Sequence, residues 1–558
     1  MTTLRTVISL FILFTFLNSQ TVQADGRQAA IASAHPLATY AGFEILQQGG
    51  NAFDAAVAVS AALAVVEPAG SGLGGGGFWL LHRASDGFEI MLDGREKAPS
   101  AAYKDMFLDS RGEMVNGLSK NGVLSAGIPG MPAAIVHLSE KYGRLPLAKS
   151  LQPAIRYAEL GFVVGERHRK LLEFRQAVLQ KNAEASRIFL DEQQVPKKKS
   201  ALRQTDLANT LRQVSRFGRD GFYAGKVASH LIQGVRKAGG IWTKQDLKNY
   251  QVVERKPMRG EYKGVKITSA ALPSSGGIVL IEALNILAGY PLEQFDEITR
   301  KHIITEAMRR AYHDRALYLG DSDFVDVPVT MLLDKNYAAG LRSGIRLDKA
   351  TSSGHLSGTI QQTTGGRNTT HFSIIDKEGN KVAATLSVNF PFGSGFVAEG
   401  TGVLLNDEMD DFVSKTGEMN GYGLVGGTAN AIEPNKRMLS SMSPTFIEDE
   451  SRVAVLGTPG GSRIISMVLL AVLDFAEGRG PESWVWKPRF HHQYIPDLIQ
   501  YEKGGMTNEE IEGLARLGHT LKEIKYRYGN MQGVQLNKKT QQLTATSDPR
   551  GEGLALVR

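Results

Sequence analysis

The chain of 558 residues contains no cysteine. That absence excludes a disulfide framework, a thiolate metal site, a CxxC redox pair and a cysteine nucleophile together, so a covalent catalyst must use oxygen or nitrogen. The apolar run near the start, Val7 to Leu17, is too short to span a bilayer, and no second run approaches the required length. No GxSxG elbow, HExxH helix or GxxxxGK[ST] loop occurs. Gly70, Gly72 and Gly75 spell GxGxxG, but they follow a helical segment and lead into a strand, the reverse of a dinucleotide site, so no cofactor is expected. Basic residues exceed acidic ones only by 64 to 57, and the densest basic run, Lys197 to Lys199, has no interleaved aromatics. No nucleic-acid partner is expected.

What is present reads as a folded protein: 42% of residues are hydrophobic and 22% charged. Residues 1–24 carry one charge, Arg5, then the apolar run, then a polar stretch ending Val22-Gln23-Ala24. This is a secretory signal pattern, and the mature protein is expected to be exported, periplasmic or secreted, with no stable membrane anchor. Helices are expected from Pro36 to Gln48 and, with Asn51 as N-cap and Asp54 three residues on, through Val65 to a stop at Glu67-Pro68. Strands are expected at 78–81 and 88–92, and helical patterns from about 130 to 345, broken near Pro146, at 218–221 and at Pro273 to Gly277. A Ser/Thr/Gly-rich stretch, 351–366, reads as an exposed flexible loop, followed by strands Phe372 to Ile375 and Val382 to Phe390. The chain therefore divides near 368.

Directly behind that loop stands Asn368-Thr369-Thr370-His371. A threonine inside a chain is a poor nucleophile. Were the chain cut before Thr369, the new α-amino group, with a reference pKa of about 7.7–8.0, would lie beside its hydroxyl and act as its base. In the hairpin where Asp376 faces Asn380 with Gly379 left-handed, the register carries Thr369 opposite Ser387, with Asn389 two positions further on the same face. An ordinary polar hairpin face is the alternative from these residues alone.

Gly74 to Gly77 with Phe78, Leu92-Asp93-Gly94-Arg95-Glu96, Pro273 to Gly277, Thr369-Thr370-His371, Asn406 to Phe412, Leu439 to Pro444, Pro459 to Arg463 and Arg489 to His492 occur in that order. In these motifs the chain resembles the γ-glutamyltransferases (γ-glutamyltranspeptidases), N-terminal-nucleophile enzymes made as one precursor that cleaves itself into two chains. The resemblance implies an α+β fold, a four-layer αββα sandwich. It implies cleavage into a large chain, 25–368, and a small chain, 369–558, that together form one catalytic domain, with Thr369 as processing residue and nucleophile. The implied donor is glutathione or another γ-glutamyl compound, the acceptor water, an amino acid or a dipeptide. Carried over residue by residue, Arg95 with Ser440 and Ser441 holds the donor's α-carboxylate, Asn389, Glu408 and Asp411 its ammonium, and Gly460 and Gly461 the oxyanion; Ser387 assists Thr369.

Each motif also has a structural reading. Arg95 with Glu96 is a surface ion pair, Glu408 to Asp411 a solvated loop or calcium site, Ser440-Ser441 a helix cap, Gly460-Gly461 a turn. His491-His492 reads as packing, with no metal expected, and Gly74 to Gly77 as close backbone packing. Ser387 stands where many relatives have threonine, Met438 where proline is usual, and Glu408 where some bacterial members carry glutamine. Gly421 to Gly427, with Tyr422 as a further substrate contact, resembles the lid loop of members acting on small substrates. A related acylase of the cephalosporin or glutaryl type, and an exported solute-binding protein without turnover, are the competing readings.

Overall fold

The computed structural model describes residues 27–356, 369–415, 420 and 423–558. The expected signal segment, the bond preceding Thr369 and Tyr422 lie outside them. No helix of the described residues is long and apolar enough to cross a membrane.

Two sheets form the centre. The first strands and helices are β1 (Ala30–Ser33), α1 (Pro36–Gln47), α2 (Ala52–Val66), β2 (Gly76–Arg83) and β3 (Phe88–Gly94). Further along come β4 (Val253–Arg255), β5 (Met258–Tyr262), β6 (Val265–Ser269), α3 (Gly276–Leu287) and α4 (Glu297–Tyr318). After residue 368 follow β7 (Thr370–Ile375), β8 (Lys381–Ser387), β9 (Thr445–Glu448), β10 (Arg452–Gly457), α5 (Arg463–Ala476), β11 (Gln532–Asn537), β12 (Leu543–Ser547) and β13 (Leu554–Val557). The seven-stranded sheet has the order β13-β1-β7-β8-β2-β3-β4 and the six-stranded sheet β12-β11-β10-β9-β6-β5.

Residue alternation along the first sheet decides the layering. Trp79, Leu81, Phe372, Ile374, Ala384 and Leu386 join a core with α1 and α2. Phe78, Leu80, Ile375 and Ala383 point the other way, into a core shared with Ile267, Phe446 and Val455 of the second sheet and with α3, α4 and α5. The layers are thus helix, sheet, sheet, helix: the αββα sandwich of an α+β protein. With both faces covered, every residue of β7 and β8 is buried.

The first helices match their sequence signals. Asn51 Oδ1 accepts hydrogen bonds from the N–H groups of Phe53 and Asp54, and the Asp54 carboxylate accepts one from the N–H of Asn51, a capping box. All of α2 is buried. Two expectations need correction. Helices dominate from 130 to 345, but β4, β5 and β6, which were not anticipated, interrupt them. Their signal was legible, since Val265, Ile267 and Ser269 alternate with exposed or partly exposed residues, and Lys263-Gly264, both at positive φ, form a two-residue hairpin turn. The stretch from Thr351 is not wholly an exposed loop either. Ser353 is buried, its hydroxyl accepting from Arg309 Nη1 and donating to the Tyr494 carbonyl, and its N–H donating to Asp497. Residues 357–368 lie outside the described segment.

Gly74 to Gly77 packs against backbone, as expected. A Cβ on Gly75 would sit 2.1 Å from the Ser387 carbonyl oxygen and 2.9 Å from Val388. We predict that Gly75→Ala destabilises the protein by about 3 kcal/mol, the upper end for overpacking. Gly340, in a helix with nothing within 4 Å of such a Cβ, should instead give a stabilising Gly340→Ala of roughly 0.5–1 kcal/mol. Denaturant midpoints measure both; equal midpoints for Gly75→Ala and the parent would overturn the close-approach account.

Candidate functional site

The hairpin β7–β8 has the expected register. Thr370 pairs with Leu386 and Ile375 with Lys381, Asp376 N–H donates to the Asn380 carbonyl at 3.1 Å, and Gly379 has φ +90°. The same register sets Thr369, buried and just ahead of β7, opposite Ser387. Ser387 Oγ accepts from the Asn389 N–H at 2.7 Å, which leaves its own proton to donate. The strand expected to run to Phe390 stops at Ser387. Asn389 adopts φ +73°, turning the chain out of the sheet, and its Nδ2 donates to the Asp407 carbonyl at 2.9 Å.

One cavity is lined by Thr369, Ser387 and Asn389 together with Arg95, Glu408 and Asp411. Ser440, Ser441 and Gly461 close it. The structure therefore brings together all the described residues singled out from sequence except Gly460, which precedes Gly461 in the chain and does not line the cavity.

Arg95 is 1% exposed and is not the surface ion pair its neighbour Glu96 suggested. Nη1 donates to Glu408 Oε2 at 2.5 Å and Nη2 to Asp411 Oδ2 at 2.6 Å, while Glu96 lies 3.3 Å from Nη1. Three carboxylates surround one guanidinium, so burial and mutual repulsion act on the acids. Burial, reinforced by Glu408, raises Glu96 well above the usual range. Burial also lifts Asp411 to about 7, against the pull of Arg95. Burial alone would lower Arg95; Glu408, Glu96 and Asp411 outweigh it and raise it. Asn406 braces the cluster, its Oδ1 accepting from the Glu408 N–H at 3.0 Å and its Nδ2 donating to Gly74 and Gly127 carbonyls. Glu408 Oε1 is buried with no hydrogen-bond partner among the described residues.

The Pro273 to Gly277 break supports the serines. Ser275 N–H and Oγ both donate to the Ser440 carbonyl, at 2.8 and 2.7 Å, and Ser274 Oγ donates to the Met442 carbonyl at 2.6 Å. Ser440 Oγ accepts from the Met442 N–H at 3.1 Å and Ser441 Oγ from Arg315 Nη2 at 3.3 Å, so both hydroxyls retain a proton to offer an anion. Gly460 at φ +148° and Gly461 at φ +59° lead into α5, so their N–H groups stand at a helix N-terminus, where negative charge is favoured.

Two residues at this site were missed in the sequence. Glu67, read only as a helix stop, accepts from Thr370 Oγ1 at 2.5 Å beside the nucleophile candidate, and burial raises it to about 7. Its signal was an acidic residue ending a helix that is apolar on nearly every side. Arg315 carried no signal, being one of many charged residues in α4.

Neither histidine of the 491–492 pair is ligand-like. His491 bonds Ser466 and Gln493, and His492 bonds Asp497 and the Tyr494 N–H. His302, Glu306 and His519 are close enough to share an ion. Their atoms are already engaged, His302 Nδ1 with His519 Nε2 at 2.7 Å and Glu306 with Arg309 and Arg310, so the cluster reads as a structural network.

Residues 38–557 match the sequence model of the family described as Gamma-glutamyltranspeptidase. The chain is 41% identical over 529 residues to a glutathione hydrolase proenzyme of Escherichia coli, covering 94% of this chain and 90% of that protein. It is 45% identical over 477 residues to one from a Pseudomonas strain, covering 85% and 83%. Among solved structures, cephalosporin acylase from Bacillus halodurans superposes with a TM-score of 0.84 at 27% identity over 95% of this chain and 96% of that one. Helicobacter pylori γ-glutamyltranspeptidase gives 0.57 at 41% identity over 59% of this chain and 96% of that one. With its αββα sandwich and a sequence match running nearly from end to end, the chain belongs to the γ-glutamyltranspeptidase family of enzymes.

Proposed function

We propose that the protein is exported, cleaves itself between Asn368 and Thr369, and then transfers the γ-glutamyl group of glutathione or a similar amide to water, an amino acid or a dipeptide. The observation that carries this reading is the shared cavity, where a strand-head threonine meets one buried cation and two acids. An α-amino acid head carries the complementary charges. Its carboxylate takes the Arg95 fork, with the Ser440 and Ser441 hydroxyls donating, and its ammonium takes Glu408, whose Oε1 has no partner among the described residues, and Asp411. The head thus exchanges one set of ion pairs for another and leaves no buried charge uncompensated.

In processing, Thr369 Oγ attacks the preceding carbonyl carbon, the C–N bond breaks and its nitrogen takes the hydroxyl proton to become the free amine, and water then cleaves the resulting ester, freeing the Thr369 hydroxyl and leaving Asn368 as a carboxylate. That amine then takes the Thr369 hydroxyl proton while Oγ attacks the γ-carbonyl of the donor, and Ser387 donates to Oγ. The Gly460 and Gly461 N–H groups receive the oxyanion. The departing amine takes a proton, leaving a γ-glutamyl ester on Thr369, which water or an acceptor amine resolves.

The superposition with a cephalosporin acylase supports a second reading, an acylase for glutaryl groups. A glutaryl group lacks the ammonium, so the acids discriminate the two readings.

Thr369→Ala is expected to leave a single uncut chain without turnover; two fragments on a denaturing gel would remove Thr369 from processing. Arg95→Ala should raise KM for a γ-glutamyl anilide roughly 10- to 100-fold, as loss of charge-assisted hydrogen bonds worth about 1.5–3 kcal/mol implies, while processing continues. An unchanged KM would exclude the carboxylate role. Because burial holds Asp411 near 7, it gains a proton and loses its charge as pH falls. KM for the γ-glutamyl anilide should therefore rise below about pH 7, and Asp411→Asn should flatten that profile and narrow the preference over a glutaryl anilide. Equal use of both anilides by the parent would favour the acylase reading.

A further inference from the structure

Thr369 and Thr370 are neighbours in the chain that face opposite sides of the first sheet. Side chains alternate along a strand, so Thr369 looks into the cavity with Ser387, while Thr370, like Phe372 and Ile374, looks toward the layer of α1 and α2. There its Oγ1 donates to Glu67 Oε2 at 2.5 Å. Glu67 directly follows α2 and is 8% exposed. Its carbonyl accepts from the N–H groups of Gly70 and Ser71, at 2.8 and 3.1 Å, which turns the chain sharply at this point. A Cβ on Gly70 would lie 3.3 Å from the Glu67 carboxyl carbon and 3.4 Å from the Thr369 carbonyl oxygen. The carboxyl thus approaches the nucleophile's residue twice, through the hydroxyl next to it in the chain and across one glycine.

Among the described residues no cation lies within ion-pair distance of Glu67. The charged groups that face it are Arg167, in the first turn of the helix Glu166–Leu179, and Glu552, just ahead of β13; Arg167 N–H donates to Glu552 Oε1 at 2.9 Å. Burial raises Glu67 to about 7, with Glu552 adding to the rise and Arg167 and the Thr370 hydroxyl opposing it. An acid buried without a cation is costly, and a positive charge arriving beside it relieves the cost. Cutting the chain before Thr369 creates one there, the new α-ammonium. The two groups lie closer than the Debye length of about 8 Å at physiological ionic strength, in a site that excludes most of the screening water.

We propose that Glu67 is the counter-charge of the α-ammonium released at Thr369, held toward it by Thr370, and that it sets the pH at which this group becomes the base for the nucleophile. The inference rests on the reading that Thr369 is the N-terminal nucleophile. Glu67 does not line the cavity and touches no substrate; it is a positioning residue that acts from behind β7. An anion beside an ammonium favours the charged form, and the ammonium in turn favours the carboxylate, so the two groups titrate as a pair. The amine accepts the Thr369 hydroxyl proton only when it is neutral. The pair therefore restrains turnover in mildly acidic solution and releases it as pH rises.

The test follows kcat for a saturating γ-glutamyl anilide against pH in the processed protein; saturation removes the effect of Asp411 on KM. Glu67→Gln should move the acid limb about 0.5–1 pH unit lower, which makes kcat at about pH 6 roughly 3- to 10-fold higher than in the parent. The alkaline plateau should stay within about twofold of the parent. A residue that only supports the fold would lower kcat at every pH and would not raise it at any. Thr370→Val, which removes the hydrogen bond favouring the ionised carboxylate, should shift the limb the same way by less, and Thr370→Ser should keep the parent profile. Should Glu67→Gln fail to process, the two Thr370 variants decide. A limb that stays in place or moves to higher pH would overturn the proposal. A parent that is cut before Thr369 yet turns over no anilide would refute the nucleophile itself, and this role with it.

Discussion

A guanidinium cannot be taken out of water alone, and the site is built around that constraint. Arg95 enters the interior at the end of β3 and requires acids from elsewhere in the chain. Glu408 and Asp411 supply them across more than 300 residues of sequence, and that pairing draws the loop after β8 against the first sheet. Asn406, Gly74 and Gly127 then hold the loop in place. The acids repel one another while they attract the arginine. Glu96 and Asp411 are both pushed toward their protonated forms. A group that brings one charge of each sign suits such a cluster, and a group that brings only one does not.

The fold was legible where local rules decide it. The capping box at Asn51, the stop at Glu67 and the register from Asp376 to Asn380 each depend on residues a few positions apart. The positions of Thr369 and Ser387 followed from that register alone. What could not be read from local pattern is the set of distant pairings. Nothing near Arg95 announces Glu408, and the local reading of Arg95 as a surface charge is the one a buried cluster reverses. Helix α4 shows the same limit: it has no apolar stripe because it is buried on nearly all sides, with Glu306, Arg309 and Arg310 satisfying one another inside. In such a helix Arg315 is indistinguishable from its neighbours until the partners are seen. The strands β4 to β6 are a different case, since their alternation was present and a surrounding helical pattern masked it.

The candidate site also explains its own conspicuous sequence motifs. Pro273 to Gly277 looked like a helix break and is one, but the same residues hold Ser440 and Met442, on either side of Ser441, through four hydrogen bonds. The Gly74 to Gly77 run resembles a phosphate loop in letters only; it brings β2 against β8 and so fixes the strand that ends at Ser387.

The strand order has a last consequence. In the seven-stranded sheet, β1 lies between β13 and β7, and β8 lies beside β2, so residues before and after 368 alternate across three seams. A fourth seam joins β9 to β6 in the other sheet. One severed peptide bond in the segment before Thr369 breaks none of these. Two fragments cut there would be held together by these seams, and their reassembly after unfolding would be a bimolecular event that depends on concentration. A cut of this kind would turn a chain that folds by itself into an assembly held by its interleaved sheets, whose lifetime would then depend on how slowly they unfold.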